Sequence, residues 1–214
     1  LATSFLKNQE DNFSANEVLI ANLYYDILKL YFGCTAFVSS KNGNIFHSRN
    51  LDWHTENNLL SAQTKIFNFQ RNDITIFKTV GWVGFIGALS GIKPNKFSLT
   101  LNSVLSNDSS EIARPISFLL RDVLNSSDSF QEAKELLEKT KIASDCLILL
   151  SGTNSIEKVV IERTPIRYST LTTKNEYIIV ANEYKQLQNN LLDENILQET
   201  SCGRYDRVEE LLVS

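Results

Sequence analysis

Cys34 opens a run of alternating residues, Cys34-Thr35-Ala36-Phe37-Val38-Ser39-Ser40, followed by Lys41-Asn42-Gly43-Asn44 and a second run, Ile45-Phe46-His47-Ser48-Arg49-Asn50. Asn-Gly between two such runs is the strongest short-range hairpin signal. With Lys41 opposite Asn44, Ala36 falls opposite Arg49 and Cys34 opposite Leu51. Opposite residues share a sheet face, so Cys34, Ala36, His47 and Arg49 point the same way. Arg49 is then diagonal to Cys34 at about 7–8 Å, within reach of a long side chain. A guanidinium beside a thiol favours the thiolate, the form that attacks carbonyl carbon. Asp52 has the other parity and meets Cys34 only where the strand bulges or ends. His47 shares the face but lies two register steps from Cys34, and His54 is the only other histidine, so a Cys/His pair of the papain type is not expected.

The elements around this hairpin follow from periodicity. Val18, Leu19, Leu23, Ile27, Leu28 and Leu30 recur at near-helical spacing and predict an amphipathic helix over 16–32, stopped by Gly33. Strands are expected over 65–71, 73–78 and 96–101, with the glycine-punctuated 81–87 continuing the β region, and again over 146–150, 158–162 and 177–180. Helices are expected over 114–124 after Pro115, over 129–139, where Ser129 and Glu132 form a capping box, and over 204–212. Strands, then paired helices, then strands predict an α+β layered sandwich.

Cys34-Thr35, the hairpin and His47-Ser48-Arg49-Asn50-Leu51-Asp52 resemble the nucleophile region of the acid ceramidase and N-acylethanolamine acid amidase family of N-terminal nucleophile hydrolases. The likeness continues through Phe69-Gln70-Arg71-Asn72, Trp82-Val83-Gly84, Ser90-Gly91-Ile92-Lys93-Pro94 and Phe97-Ser98-Leu99-Thr100-Leu101-Asn102 to Val180-Ala181-Asn182-Glu183-Tyr184 and Gly203-Arg204. The resemblance implies a four-layer αββα fold with mainly antiparallel sheets, further strands being expected beyond Ser214. It also implies cleavage between Gly33 and Cys34, dividing the chain into a light segment, 1–33, and a nucleophile domain, 34–214, that stay associated.

Cleavage would expose an α-amine with an ordinary pKa of about 7.7–8.0, suited to take the thiol proton. The resemblance makes Asp52 the residue that orients this amine and Arg49 the one that stabilises the thiolate and positions the substrate carbonyl. It makes Asn182 the oxyanion donor and Arg204 the residue completing the polar shell. The reaction implied is hydrolysis of an N-acyl sphingosine or related N-acyl amine through a Cys34 thioester, with Trp53, Trp82 and Phe85 as candidate walls of the acyl groove. A lysosomal, secreted or other acidic compartment fits the resemblance, and helix 16–32 is expected to touch membrane surfaces. One departure is Ser103-Val104, where the family commonly has an acidic residue after the position of Asn102.

Composition lies in the globular range, is enough for one substantial core and argues against other classes. A net charge of -4 without a basic run offers no field for nucleic acid. Cys34, Cys146 and Cys202 make an odd number without metal spacing, so at least one thiol is free and neither a metal nor another cofactor is expected. No stretch approaches the roughly 20 apolar residues that span a bilayer, the nearest being broken by Asp26 and Lys29. The rival functions are an N-acylethanolamine amidase, a bile-acid or penicillin acylase, which the long helix ahead of Cys34 disfavours, and an inactive lipid-binding module, which the full set of polar residues disfavours.

Overall fold

The computed structural model describes residues 14–27, 32–53, 55–188 and 200–213. In chain order these form α1 (Ala15–Ile27), β1 (Phe32–Lys41), β2 (Asn44–Trp53), a short helical stretch ending at Ala62, β3 (Thr64–Arg71), β4 (Ile74–Trp82), β5 (Ser90–Lys93) and β6 (Phe97–Asn102). Then follow α2 (Ile116–Ser126), α3 (Phe130–Lys139), β7 (Cys146–Ser151), β8 (Lys158–Arg163), β9 (Tyr168–Thr172), β10 (Tyr177–Val180) and α4 (Ser201–Val213).

The strands make two antiparallel sheets, one of order β10-β1-β2 and one running from β3 to β9 in sequence order. Helix α4 packs on β1 and β10, the two sheets meet through β1 with β6 and β7, and α2 and α3 cover the far side of the larger sheet. This is the expected αββα arrangement. Every residue of β7 is buried, as suits a strand covered on both faces. Its alternate residues serve two cores: Leu147 and Leu149 meet Ala36, Val38 and Ile178 between the sheets, whereas Ile148 and Leu150 meet Leu120 and Leu137 under the helices.

The hairpin that carries Cys34 has the register read from its turn: Lys41 faces Asn44, Ala36 faces Arg49 and Cys34 faces Leu51. Asn42 and Gly43 both have positive φ, 52° and 77°, the twist a two-residue hairpin loop requires. Ser129 Oγ accepts the Glu132 N–H at 3.1 Å, and the Glu132 carboxylate reaches back to the N–H of Asp128, so the capping signal operates.

Several expectations are corrected. Helix α1 is described only to Ile27, residues 28–31 lie outside the described part, and Phe32 and Gly33 belong to β1. Gly33 therefore does not stop a helix; it pairs with Asp52, and a Cβ there would sit 3.2 Å from Asp52 Cβ. On α1, Leu19 and Ile20 are exposed and Asn22 is buried. Strand β4 runs on to Trp82, and residues 83–87 form a turn instead of more strand. Strands β5 and β9 were not expected, because four or five residues with a glycine or three threonines and serines carry too little apolar alternation to register.

Candidate active site

Strands β1 and β2 bring Cys34 and Arg49 together on the face turned toward the larger sheet. The Arg49 Nη2 lies 3.6 Å from Cys34 Sγ and donates to the Leu101 carbonyl at 2.8 Å, while Nη1 reaches Ser90 Oγ at 3.4 Å. Its buried Nε–H has no hydrogen-bond partner among the described residues. The Cys34 thiol is itself fully buried.

The backbone of Cys34 is held as closely as its side chain. Its N–H donates to Asn182 Oδ1 at 2.9 Å. Its carbonyl accepts from Arg204 Nη1, which also donates to Thr35 Oγ1 at 2.9 Å, and Arg204 Nη2 donates to Asn182 Oδ1 at 2.7 Å. Asn182 follows β10, beside β1, so sheet pairing delivers it to Cys34; Arg204 comes from the first turn of α4 on the outer face of the same sheet.

Asn182 differs from expectation in its hydrogen-bond sense. Read as an oxyanion donor, it instead spends its Nδ2 on the Ser103 carbonyl at 2.6 Å and presents an acceptor to Cys34. Its own N–H goes to Ser201 Oγ at 2.9 Å. Asp52 stands opposite Gly33, one residue before Cys34, with Oδ1 accepting from Asn50 Nδ2. A Cβ at position 33 would meet Asp52 Oδ2 at 3.4 Å, so the carboxylate lies against the residue whose carbonyl is bonded to Cys34. The parity argument is thus kept: Asp52 lies on the other face from Arg49. The boundary expected between residues 33 and 34 falls inside β1, which pairs with β2 on both sides of it.

Two clefts flank Arg49. The larger, about 850 Å³, runs between β2 and strands β3 to β6 and is lined by Arg49, Leu51, Trp53, Val80, Trp82 and Ile92, among others. Trp53 meets Trp82 edge to face at 5.3 Å between ring centroids. Phe85 is not among the residues lining this cleft; it backs Trp82 at 4.7 Å. The second cleft, about 600 Å³, opens on the α4 side beside Thr35, Asp52, Arg204 and Arg207.

His47 lies along the floor of the larger cleft, its Nδ1 2.8 Å from Ser98 Oγ and its Nε2 3.0 Å from Thr100 Oγ1. Burial, with the Arg49 charge second, pushes its pKa down to about 4. It is a neutral hydrogen-bonded bridge between the two sheets, not a partner of Cys34. No group of three His, Cys, Asp or Glu side chains among the described residues is placed to hold a metal. None of Cys34, Cys146 and Cys202 carries a disulfide.

Residue-by-residue reading missed Asn102, whose Nδ2 donates to the carbonyls of Val180 at 3.2 Å and Ala181 at 2.9 Å, immediately before Asn182. The Leu-Thr-Leu-Asn stretch is the signal that contained it. Glu162 was also missed: 1% exposed, it accepts the backbone N–H groups of Lys185 at 2.6 Å, Gln186 at 3.0 Å and Leu187 at 2.7 Å. Nothing in the sequence around Glu162 distinguishes it from a solvated strand carboxylate.

A small antiparallel sheet packed on a larger one, with helices on both outer faces, is the layered fold of the N-terminal nucleophile hydrolases. The C2A mutant of conjugated bile acid hydrolase from Clostridium perfringens shares this fold, with a TM-score of 0.51 at 16% identity over 72% of this chain and 54% of that one. The Caenorhabditis elegans N-acylethanolamine-hydrolyzing acid amidase ortholog superposes with a TM-score of 0.63 at 27% identity over 70% of each chain. Acid ceramidase of Balaenoptera acutorostrata scammoni is 34% identical over 71% of this chain and 44% of that protein. Acid ceramidase of Heterocephalus glaber is 30% identical over 91% and 56%. The chain thus spans about half the length of these curated relatives.

Residues 38–214 match the model of the family described as acyl-coenzyme A:6-aminopenicillanic acid acyl-transferase, and the chain belongs to that family. Within it, the resemblance to acid ceramidase and N-acylethanolamine acid amidase read from the sequence is borne out.

Proposed function

We propose that this protein hydrolyses the amide bond of N-acyl sphingosine or a related N-acyl amine, releasing a fatty acid and an amine, once the bond between Gly33 and Cys34 has been broken. The observation that carries the reading is the pair of contacts on one residue: Arg49 Nη2 3.6 Å from the Cys34 thiol and Asn182 Oδ1 2.9 Å from the Cys34 nitrogen. A thiol beside a guanidinium is set up to attack carbonyl carbon, and a nitrogen already resting on a fixed acceptor needs only to lose its acyl group to become a held amine base.

In the cleavage step Cys34 Sγ adds to the Gly33 carbonyl carbon, the C–N bond breaks, and the thiol proton passes to the departing nitrogen. Water then hydrolyses the Gly33 thioester. In turnover the freed α-amine takes the thiol proton, Sγ attacks the substrate amide carbon, and the amine leaves with that proton, giving an acyl thioester that water resolves. Arg49 stabilises the thiolate and offers its spare Nε–H to the carbonyl oxygen. Asn182 and Arg204 hold the nucleophile's backbone, and Asp52, against Gly33, orients the new terminus. An oxyanion role for Asn182 requires its Nδ2 to leave the Ser103 carbonyl when the terminus is freed.

Ceramide-type substrates are favoured over N-acylethanolamines by identities of 30–34% to acid ceramidases against 27% to the amidase ortholog. Association of the light segment after cleavage is supported by Asn22 and Asp26, which bind it to residues 84–86, Ile116 and Ser144. Contact with a membrane surface is supported by the exposed Leu19 and Ile20 on α1. Among the described residues no helix is long and apolar enough to cross a membrane.

Mass spectrometry after acid incubation tests the cleavage, with a new terminus expected at Cys34. A panel of ceramide, N-acylethanolamines and bile-acid conjugates, assayed with and without prior cleavage, tests the substrate. An intact chain that hydrolyses substrate refutes the mechanism.

A further inference from the structure

The turn over residues 83–88 carries Phe85 behind the aromatic end of the larger cleft, and side chains from elsewhere hold its backbone. Asn22 of α1 donates Nδ2 to the Gly84 carbonyl at 3.1 Å and accepts the Ile86 N–H on Oδ1 at 2.6 Å. Arg121 donates to the Ile86 carbonyl. Asn22 is only 1% exposed on a helix that leaves Ile20 60% exposed. Burying an amide costs free energy unless both its halves are bonded, and here the turn bonds both. One helical turn further along the same face, Asp26 Oδ1 accepts the Ile116 N–H and the Ser144 hydroxyl, each at 3.0 Å. Helix α1 is therefore docked by directional polar bonds, which fix the position of what they hold more sharply than apolar contact does.

We propose that Asn22 is a positioning residue for the substrate cleft: it clamps the turn at Gly84 and Ile86 so that Phe85 backs Trp82, keeping the aromatic wall in the shape that reads the acyl group. The segment ahead of Cys34 is then a working part of the site after it has been severed, not a discarded leader. Only the acyl-reading half of this inference rests on the proposed function.

Trp53 and Trp82 are the only two tryptophans in the 214 residues, so tryptophan fluorescence reads this wall alone. The experiment compares wild type, Asn22→Ala and, as a control at an exposed position of the same helix, Asn16→Ala. The alanine variant is expected to shift tryptophan emission to longer wavelength and increase acrylamide quenching, whereas the control matches wild type. Its KM for a long-chain N-acyl amide is expected to rise about tenfold relative to a short-chain one, with kcat and cleavage before Cys34 within about twofold of wild type. An unchanged emission spectrum in Asn22→Ala overturns the clamp, whatever the activity. A shifted spectrum with unchanged chain-length preference overturns the acyl-reading role. Absence of turnover by wild type refutes the proposed function, and fluorescence still decides the clamp. Should Asn22→Ala not fold, hydrogen exchange in wild type decides: an Ile86 amide as protected as those of α2 supports the clamp, and exchange at an open-loop rate overturns it.

Discussion

Replacing His47 with glutamine is expected to flatten the acid side of the protein's stability profile. In the fold the imidazole is buried between Ser98 and Thr100 hydroxyls with Arg49 nearby, and its pKa falls from an ordinary 6.5 to about 4. Below pH 6.5 the unfolded chain takes up a proton that the folded chain refuses, so stability falls as the pH drops, and the loss is complete once the folded state also protonates near pH 4. The gap corresponds to about 3 kcal/mol, at about 1.4 kcal/mol per tenfold change in proton affinity. For a chain of this size that is roughly 6–12 °C in Tm. Glutamine can keep one bond to each hydroxyl but cannot titrate. Thermal unfolding followed by circular dichroism from pH 7 to pH 4 should therefore show wild type losing roughly 6–12 °C more than His47→Gln. Parallel curves for the two proteins would refute the reasoning, and with it the assignment of His47 as a buried neutral bridge.

Cys34→Ala is expected to remain a single chain and to show no turnover, read by intact mass and by fatty acid release. Arg204→Leu removes charge-assisted bonds to the Cys34 carbonyl and to Asn182 Oδ1. At about 1.5–3 kcal/mol for each, cleavage and turnover together should fall by roughly two to four orders of magnitude, with Arg204→Lys recovering part of the loss. Glu162→Ala strips three backbone N–H groups of their acceptor. A loss of about 3–5 kcal/mol is expected, or roughly 6–20 °C in Tm by calorimetry, with Glu162→Gln intermediate.

The hairpin and its register could be read from the chain because Asn42-Gly43 adopts one turn well and because side-chain direction alternates strictly along a strand. That was enough to put Arg49 beside Cys34 and Asp52 on the other face. The boundary at Gly33 was misread because a glycine after an apolar run is as good a helix stop as a strand residue. What decides between them is Asp52, which comes from the neighbouring strand and leaves little room for a Cβ. The polar docking of helix α1 was not legible either, because no local pattern says that Asp26 meets a helix N-terminus and Asn22 an open turn.

The sequence by itself determined the hairpin that carries Cys34, the layered class of the fold and, through ordered motifs, the family, since each of these is carried by local patterns. Only the tertiary structure decided that Asn182 accepts from the Cys34 nitrogen, that Arg204 grips the Cys34 carbonyl and that Glu162 anchors residues 185–187. Those contacts join positions 23 to 170 residues apart, and hydrogen-bond sense between distant groups depends on which donors and acceptors the packing leaves unsatisfied, a quantity that no local pattern encodes.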